Sequence, residues 1–280
     1  EHPTLQALAA LLGQPLQTPA ATFVPAARPA HLPLSFEQQR LWFLEQLSGA
    51  SEYNVVSAVQ FDGELNVQAL QSALNTVIQR HEILRSRIVR EDEGELALVI
   101  EPQVELTLGL ARWDTVSDER WQQLTDAAIQ AATAQRFDLA NEVPIRATLL
   151  SRNHQALLVL TLHHCATDDA STHNLLDELA QCYSAECQGH VANLPGLALQ
   201  YPDYALWQRE PAQQALFDSQ LNYWRTQLED GSYQLELPTD QPRPPVLDPR
   251  AGSVHLQLPA ELSGRLRQFA HQRGATLYML

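Results

Sequence analysis

Residues 144–172 read PIRATLLSRNHQALLVLTLHHCATDDAST. Two strand-like stretches meet here in a hairpin, and the second, 156–164, is almost wholly apolar. A run without polar alternation offers no face to water, so it predicts a strand buried on both sides in the middle of a sheet. After Asp168 the pattern changes: Leu175, Leu176, Leu179 and Tyr183 recur at helical spacing. The segment therefore predicts a central strand ending in His163 and His164, a short turn with Asp168 and Asp169, and then a helix.

The same reading extends outward. A helix is expected over about 35–47, with Ser35 as its cap and Glu37 and Gln38 in its first turn. Val55, Ser57, Val59 and Phe61 alternate as in a strand that ends at Asp-Gly, and Leu70, Leu74 and Val77 share one helical face. Residues 85–101 predict two strands joined by an acidic turn containing Gly94, residues 104–113 a strand, and residues 117–135 a polar helix. Further helices fit 211–228 and 259–273, with a strand at 253–259 between them. Strands interleaved with helices and hairpins predict an α/β protein of mixed layers rather than a uniformly alternating barrel. At the start, Leu5, Leu8 and Leu12 suggest a helix over 1–14, and the proline-rich, aperiodic 15–31 reads as a linker. Both ends look cut from something longer.

Composition removes several function classes. A net charge of -15 disfavours nucleic acid, whose phosphates reward basic patches. No apolar run approaches the roughly 20 residues of a membrane span. There is no lysine, hence no lysine nucleophile or Schiff base in this segment. Cys165, Cys182 and Cys187 have no metal-like spacing, and a reduced, cytoplasmic setting is expected. Gly-rich phosphate loops and a GxSxG elbow are missing from the sequence.

Three readings of the histidine segment compete. A metal site is disfavoured because neighbouring strand residues point to opposite faces, so His163 and His164 do not readily share an ion, and no HExxH or CxxC supports one. A purely structural reading makes Thr167, Asp168 or Asp169 the cap of the next helix. A chemical reading makes His164 a base or hydrogen-bonding group, with Asp168 fixing the local backbone. Spacing alone does not choose between the last two.

Four stretches in order resemble the condensation domains of nonribosomal peptide synthetases. HHCATDD, His163–Asp169, is similar to the core motif HHxxxDG. SFEQQRLWFL, 35–44, resembles SxAQxRLWxL with Glu37 for Ala. RHEILRSRI, 80–88, resembles RHExLRTxF, and YPDYALW, 201–207, resembles YxDYAVW. The opening EHPTLQALAALL looks like the last helix of a peptidyl carrier domain.

The resemblance implies a chloramphenicol acetyltransferase-like α/β lobe, one arm of a V-shaped two-lobed domain. It places the carrier helix at 1–14, the linker at 15–31, the N-terminal lobe at 32–205, and a crossover with the start of an incomplete second lobe at 206–280. This piece alone is then expected to be inactive. The implied reaction is amide formation between two thioesters tethered to phosphopantetheine on upstream and downstream carrier domains, with an adenylation domain adjacent and no cofactor bound directly. A carrier tail leading straight into the domain implies an L-configured donor. His164 is the implied catalytic residue. His163, Asp168, Asp169, Arg40, Arg80, Arg85 and Trp207 are implied as motif or structural support.

Asp169 departs from the motif glycine. The expectation is a turn that Asp tolerates in the left-handed region, with a second carboxylate that repels Asp168 and, if near His164, favours the imidazolium. Relatives that recruit tailoring oxygenases also carry DD here but lack the second histidine, so a recruiting platform is an alternative. A stand-alone acyltransferase using CoA thioesters is another.

Overall fold

The computed structural model describes residues 27–48, 51–91, 94–229, 231, 237–242, 254 and 256–280. The helix expected over 1–14, and the linker as far as residue 26, lie outside the described residues. The described residues fall into two compact units, one within Phe23–Gln234 and the other within Leu235–Leu280.

The larger unit is built on the hairpin. Strands β6 (Ile145–Arg152) and β7 (Gln155–His163) pair antiparallel, and β2 (Asn54–Asp62) lies on the far side of β7, also antiparallel. Strand β5 (Gly109–Arg112) adds to β6 in parallel, giving the order β2-β7-β6-β5. The apolar strand is therefore central, as its composition requires. Leu158, Leu160 and Leu162 are fully buried on one face with Ile145, Ala147 and Leu149 of β6. Helices α2 (Val67–Arg80) and α4 (Asp169–Cys187) cover that face with Leu70, Leu74 and Val77 and with Leu175, Leu179 and Cys182. Each leucine so buried contributes roughly 1.5–3 kcal/mol. Helix α3 (Asp118–Ala134) contacts β2 and β7. A second sheet of order β1-β4-β3 joins Leu32–Pro33, Leu96–Ile100 and Ser86–Arg90.

Local sequence explains the helix starts. Ser35 Oγ accepts from the Gln38 N–H (3.1 Å) and Gln38 Oε1 accepts from the Ser35 N–H (3.0 Å), a reciprocal cap opening α1 (Phe36–Ser48). Ser117 caps α3, and Asp168 caps α4. A short helix α5 (Tyr201–Trp207), which periodicity does not reveal, opens with a capping box between Gln200 and Asp203. Helix α6 follows at Pro211–Leu228. In the other unit the described residues include helix α7 (Ala260–Gln272) and a 3-10 turn (Leu277–Met279).

Three expectations need correction. Strand β7 stops at His163, so His164 belongs to the turn, although its N–H still donates to the Tyr53 carbonyl (2.8 Å). The strand expected over 104–113 shortens to β5. The backbone N–H groups of Leu106 and Leu108 donate to the side chains of Asn75 and Gln71 on α2 (3.0 and 2.8 Å), which takes them out of strand pairing. Of the strand expected at 253–259, residues 253 and 255 lie outside the described residues, and 254 and 256–259 form no strand. No helix among the described residues is long and apolar enough to cross a membrane.

Candidate active site

The turn after β7 presents the two histidines in opposite ways. His163 is fully buried, with its ring edge-on to Phe137 (centroids 6.0 Å apart). Its Nδ1 accepts from the Cys165 N–H (3.1 Å), and its Nε2 lies 3.2 Å from Glu45 Oε2. His164 is exposed, and its Nδ1–H donates to the Thr167 carbonyl (2.7 Å). That bond fixes the tautomer of the neutral ring: Nδ1 carries the proton and Nε2 is left as the acceptor.

His164 stands in the wall of two cavities. The first, about 360 Å³, is enclosed by α1, the 3-10 turn Glu82–Arg85, the start of α4 and α5, and includes Glu37, His81, Asn174 and Tyr201. The second, about 560 Å³, is walled by residues 55–59 of β2 and the first turns of α4, and includes Asp169, Thr172 and His173. His164 and Asp168 line both.

Asp168 acts on the backbone. Its Oδ1 accepts from the Ser171 N–H (2.7 Å), and its carbonyl accepts from the Thr172 N–H (2.9 Å) and hydroxyl (2.7 Å). Hydrogen bonds from the Ser171 side chain and backbone hold its carboxyl below the usual range, against a smaller effect of burial. The Cys165 thiol is pushed far up, by burial first and then by the charge of Glu45, so it stays protonated and is no nucleophile.

Asp169 does not behave as the motif comparison suggests. It is the first residue of α4 and lies outside the left-handed region, where Asn153 is the one non-glycine among the described residues. Helical geometry suits Asp at this position, so no glycine is needed there. Its carboxylate is almost fully exposed and lies 3.7 Å from His173 Nδ1. The His173 Nδ1 also donates to the Asp169 carbonyl (2.7 Å). That bond first, and the Asp169 charge second, raise the His173 imidazole. An Asp169→Gly variant should keep the carbonyl contact and lose the charge. The His173 titration midpoint, followed by NMR, should then fall part of the way toward the ordinary histidine value; an unchanged midpoint would contradict the pairing.

Of the remaining motif residues, Arg80, Arg85 and Trp207 make contacts within the fold. Arg80 donates to Glu178 (Nε to Oε2, 3.0 Å) and to the Pro195 carbonyl (2.5 Å). Arg85 donates to the carbonyls of Gln79 (3.3 Å) and Glu101. Arg40 is exposed and lines neither cavity. Trp207 continues an aromatic row along α5, 5.8 Å from Tyr204, which is 5.6 Å from Tyr201. The aspartate of YPDYALW has a specific task. Asp203, 5% exposed, takes both arms of Arg28 (2.9 and 3.1 Å) while Arg28 also donates to Glu82 (2.7 Å).

Sequence reasoning misses three cavity residues and the buried Glu45. His81 sits inside a quoted motif between more conspicuous arginines; its Nε2 meets Glu178 Oε2 at 2.7 Å on the wall of the first cavity. Tyr201, hydrogen-bonded to Ser35 Oγ (2.9 Å), and Asn174 share that wall.

Residues 29–280 match the Condensation domain family. The chain belongs to the condensation-domain family. This condensation domain is 40% identical over 270 aligned positions to a probable non-canonical nonribosomal peptide synthetase of Salinispora arenicola, an alignment covering 94% of this chain and 3% of that protein. Among solved structures it is similar to the X-domain in its complex with OxyB from teicoplanin biosynthesis, with a TM-score of 0.76, 29% identity, and coverage of 92% of this chain and 56% of that one. The first condensation domain of the CDA synthetase shares the fold at a TM-score of 0.71 and 19% identity, covering 89% of this chain and 59% of that one. The mixed α/β lobe expected from the motifs is thus the observed fold, and the chain spans a small part of the synthetase it matches.

Proposed function

We propose that this condensation domain forms an amide bond between two carrier-tethered substrates, and that His164 is the residue at which they meet. The observation that carries the reading is the position of His164 in the wall of two differently built cavities, with Nε2 left as an acceptor. In the reaction the amine nitrogen of the acceptor attacks the donor thioester carbonyl, the C–N bond forms and the C–S bond breaks. His164 Nε2 accepts the N–H of the attacking amine, and the released proton ends on the departing thiol. Neither an acyl-enzyme nor a directly bound cofactor is required. Both thioesters arrive on phosphopantetheine arms of upstream and downstream carrier domains, with an adenylation domain supplying the loaded acceptor. Holding the two reactants together supplies a large share of the acceleration, since effective molarities reach about 10⁵–10⁸ M.

A second reading, a platform that recruits a tailoring enzyme, draws on the 29% identity with a domain solved in complex with OxyB and on Asp169 at the glycine position. The chain keeps both histidines of the motif, His163 and His164, which favours condensation. The two readings separate when the intact domain is supplied with loaded donor and acceptor carriers and the acceptor thioester is weighed by mass spectrometry. Condensation predicts a dipeptidyl thioester within minutes. Unchanged acceptor, together with stable binding of an oxygenase, would support the platform.

A further inference from the structure

Helix α1 holds the turn that carries His164 at two points. Gln38, 1% exposed, donates from Nε2 to the Cys165 carbonyl (3.1 Å). Two turns further on is Glu45, 2% exposed, an unusual place for a carboxyl group. Its Oε2 is 3.2 Å from His163 Nε2, and its Oε1 is 3.5 Å from Arg136 Nε.

The His163 ring is constrained from its other side. Nδ1 accepts the Cys165 N–H, so it carries no proton, and the ring proton must sit on Nε2. Among the described residues Nε2 has no well-aligned hydrogen bond, and the Glu45 carboxyl is the acceptor placed beside it. Without that acceptor a buried N–H would be left unpaired, or the proton would move to Nδ1 and collide with the Cys165 N–H. Either outcome loosens the turn between His163 and Thr167.

We infer that Glu45 is a positioning residue for His164. It holds the His163 proton on Nε2 and keeps Nδ1 free for the Cys165 N–H. That bond and the Gln38 contact set the backbone from which His164 projects into both cavities. Neighbouring histidines thereby carry opposite tautomers, His163 protonated on Nε2 and His164 on Nδ1. The inference rests on the reading of His164 as the reacting group.

The test compares the intact domain with its Glu45→Leu and Glu45→Gln variants. Long-range ¹H–¹⁵N spectra of labelled histidines should show His163 protonated on Nε2 in the native protein. Glu45→Leu should mix or reverse that tautomer and speed exchange of the Cys165 amide by about tenfold, the loss of one hydrogen bond. With loaded carriers its kcat should fall about 10–100-fold at a nearly unchanged KM, as expected of a misplaced reacting group. Glu45→Gln, whose amide oxygen still accepts from Nε2, should recover most of the rate. A native His163 protonated on Nδ1 overturns the inference without any variant. So does a folded Glu45→Leu protein with an unchanged His163 spectrum, or one that raises KM alone. A native domain that forms no amide counts against the function and leaves the histidine spectrum to decide the role of Glu45.

Discussion

Replacing His164 with alanine should slow amide formation by about 10²–10⁴-fold, the range typical of a lost general base or its equivalent hydrogen bond. The effect belongs in kcat, because the proposed hydrogen bond from the attacking amine to His164 is made at the reacting atoms. The exposed His164 ring contributes one hydrogen bond to the fold, to the Thr167 carbonyl. Unfolding in urea should therefore shift by no more than about 1 kcal/mol. A His164→Gln variant adds discrimination. Its amide can accept or donate a hydrogen bond but cannot take a proton, so a rate as low as that of alanine would assign proton transfer to the imidazole. The residual rate in both variants reports what positioning alone achieves.

The second large effect is on stability, at a distance from the chemistry. Arg28→Ala removes the guanidinium that grips Asp203 with two arms and Glu82 with a third. Asp203 is then left nearly buried, with the Gln200 N–H among its remaining donors (2.8 Å). Breaking a fully buried pair costs about 3–5 kcal/mol, and the 31% exposure of the Arg28 side chain brings the expectation down to about 2–3 kcal/mol. The pH dependence provides an internal control. Burial pushes the Asp203 carboxyl upward, but the Arg28 contact and the Gln200 N–H outweigh it, so its folded titration lies below the ordinary carboxylate value. A depressed carboxylate contributes stability above its unfolded pKa, about 3.9, and loses it as pH falls through the folded value. Native and Arg28→Ala unfolding curves should be separated at neutral pH and converge below about pH 4. Curves separated equally at all pH values would refute the ion-pair assignment.

The parts of this domain that short-range physics determines are legible in the sequence. The apolar 156–162 has no polar face, so it has to be central, and Leu175 with Leu179 have to face the sheet. Ser35 and Gln38 announce their helix start because a cap needs residues three apart. What escapes reading depends on partners far along the chain. Arg28 and Asp203 are 175 residues apart, and nothing near either one signals the other. Glu45 sits in FEQQRLWFLEQLS, where charged and apolar residues are mixed around the helix, so it looks like one more solvated carboxylate rather than the neighbour of a buried histidine. His81 is masked by the arginines of its motif, whose charges are more conspicuous. Asp169 misleads because a glycine in a motif suggests a special backbone angle, whereas the chain here simply enters a helix.

Whether two tethered substrates meet at His164 from two cavities is open to direct observation. The decisive measurement is a crystal structure of the intact domain with an amide-linked analogue of the product, carrying a phosphopantetheine arm at each end. The analogue should thread both cavities, with its amide nitrogen within hydrogen-bonding distance of His164 Nε2. An analogue that binds with its amide away from His164, or occupies one cavity while the other stays closed to it, would contradict the proposed meeting point.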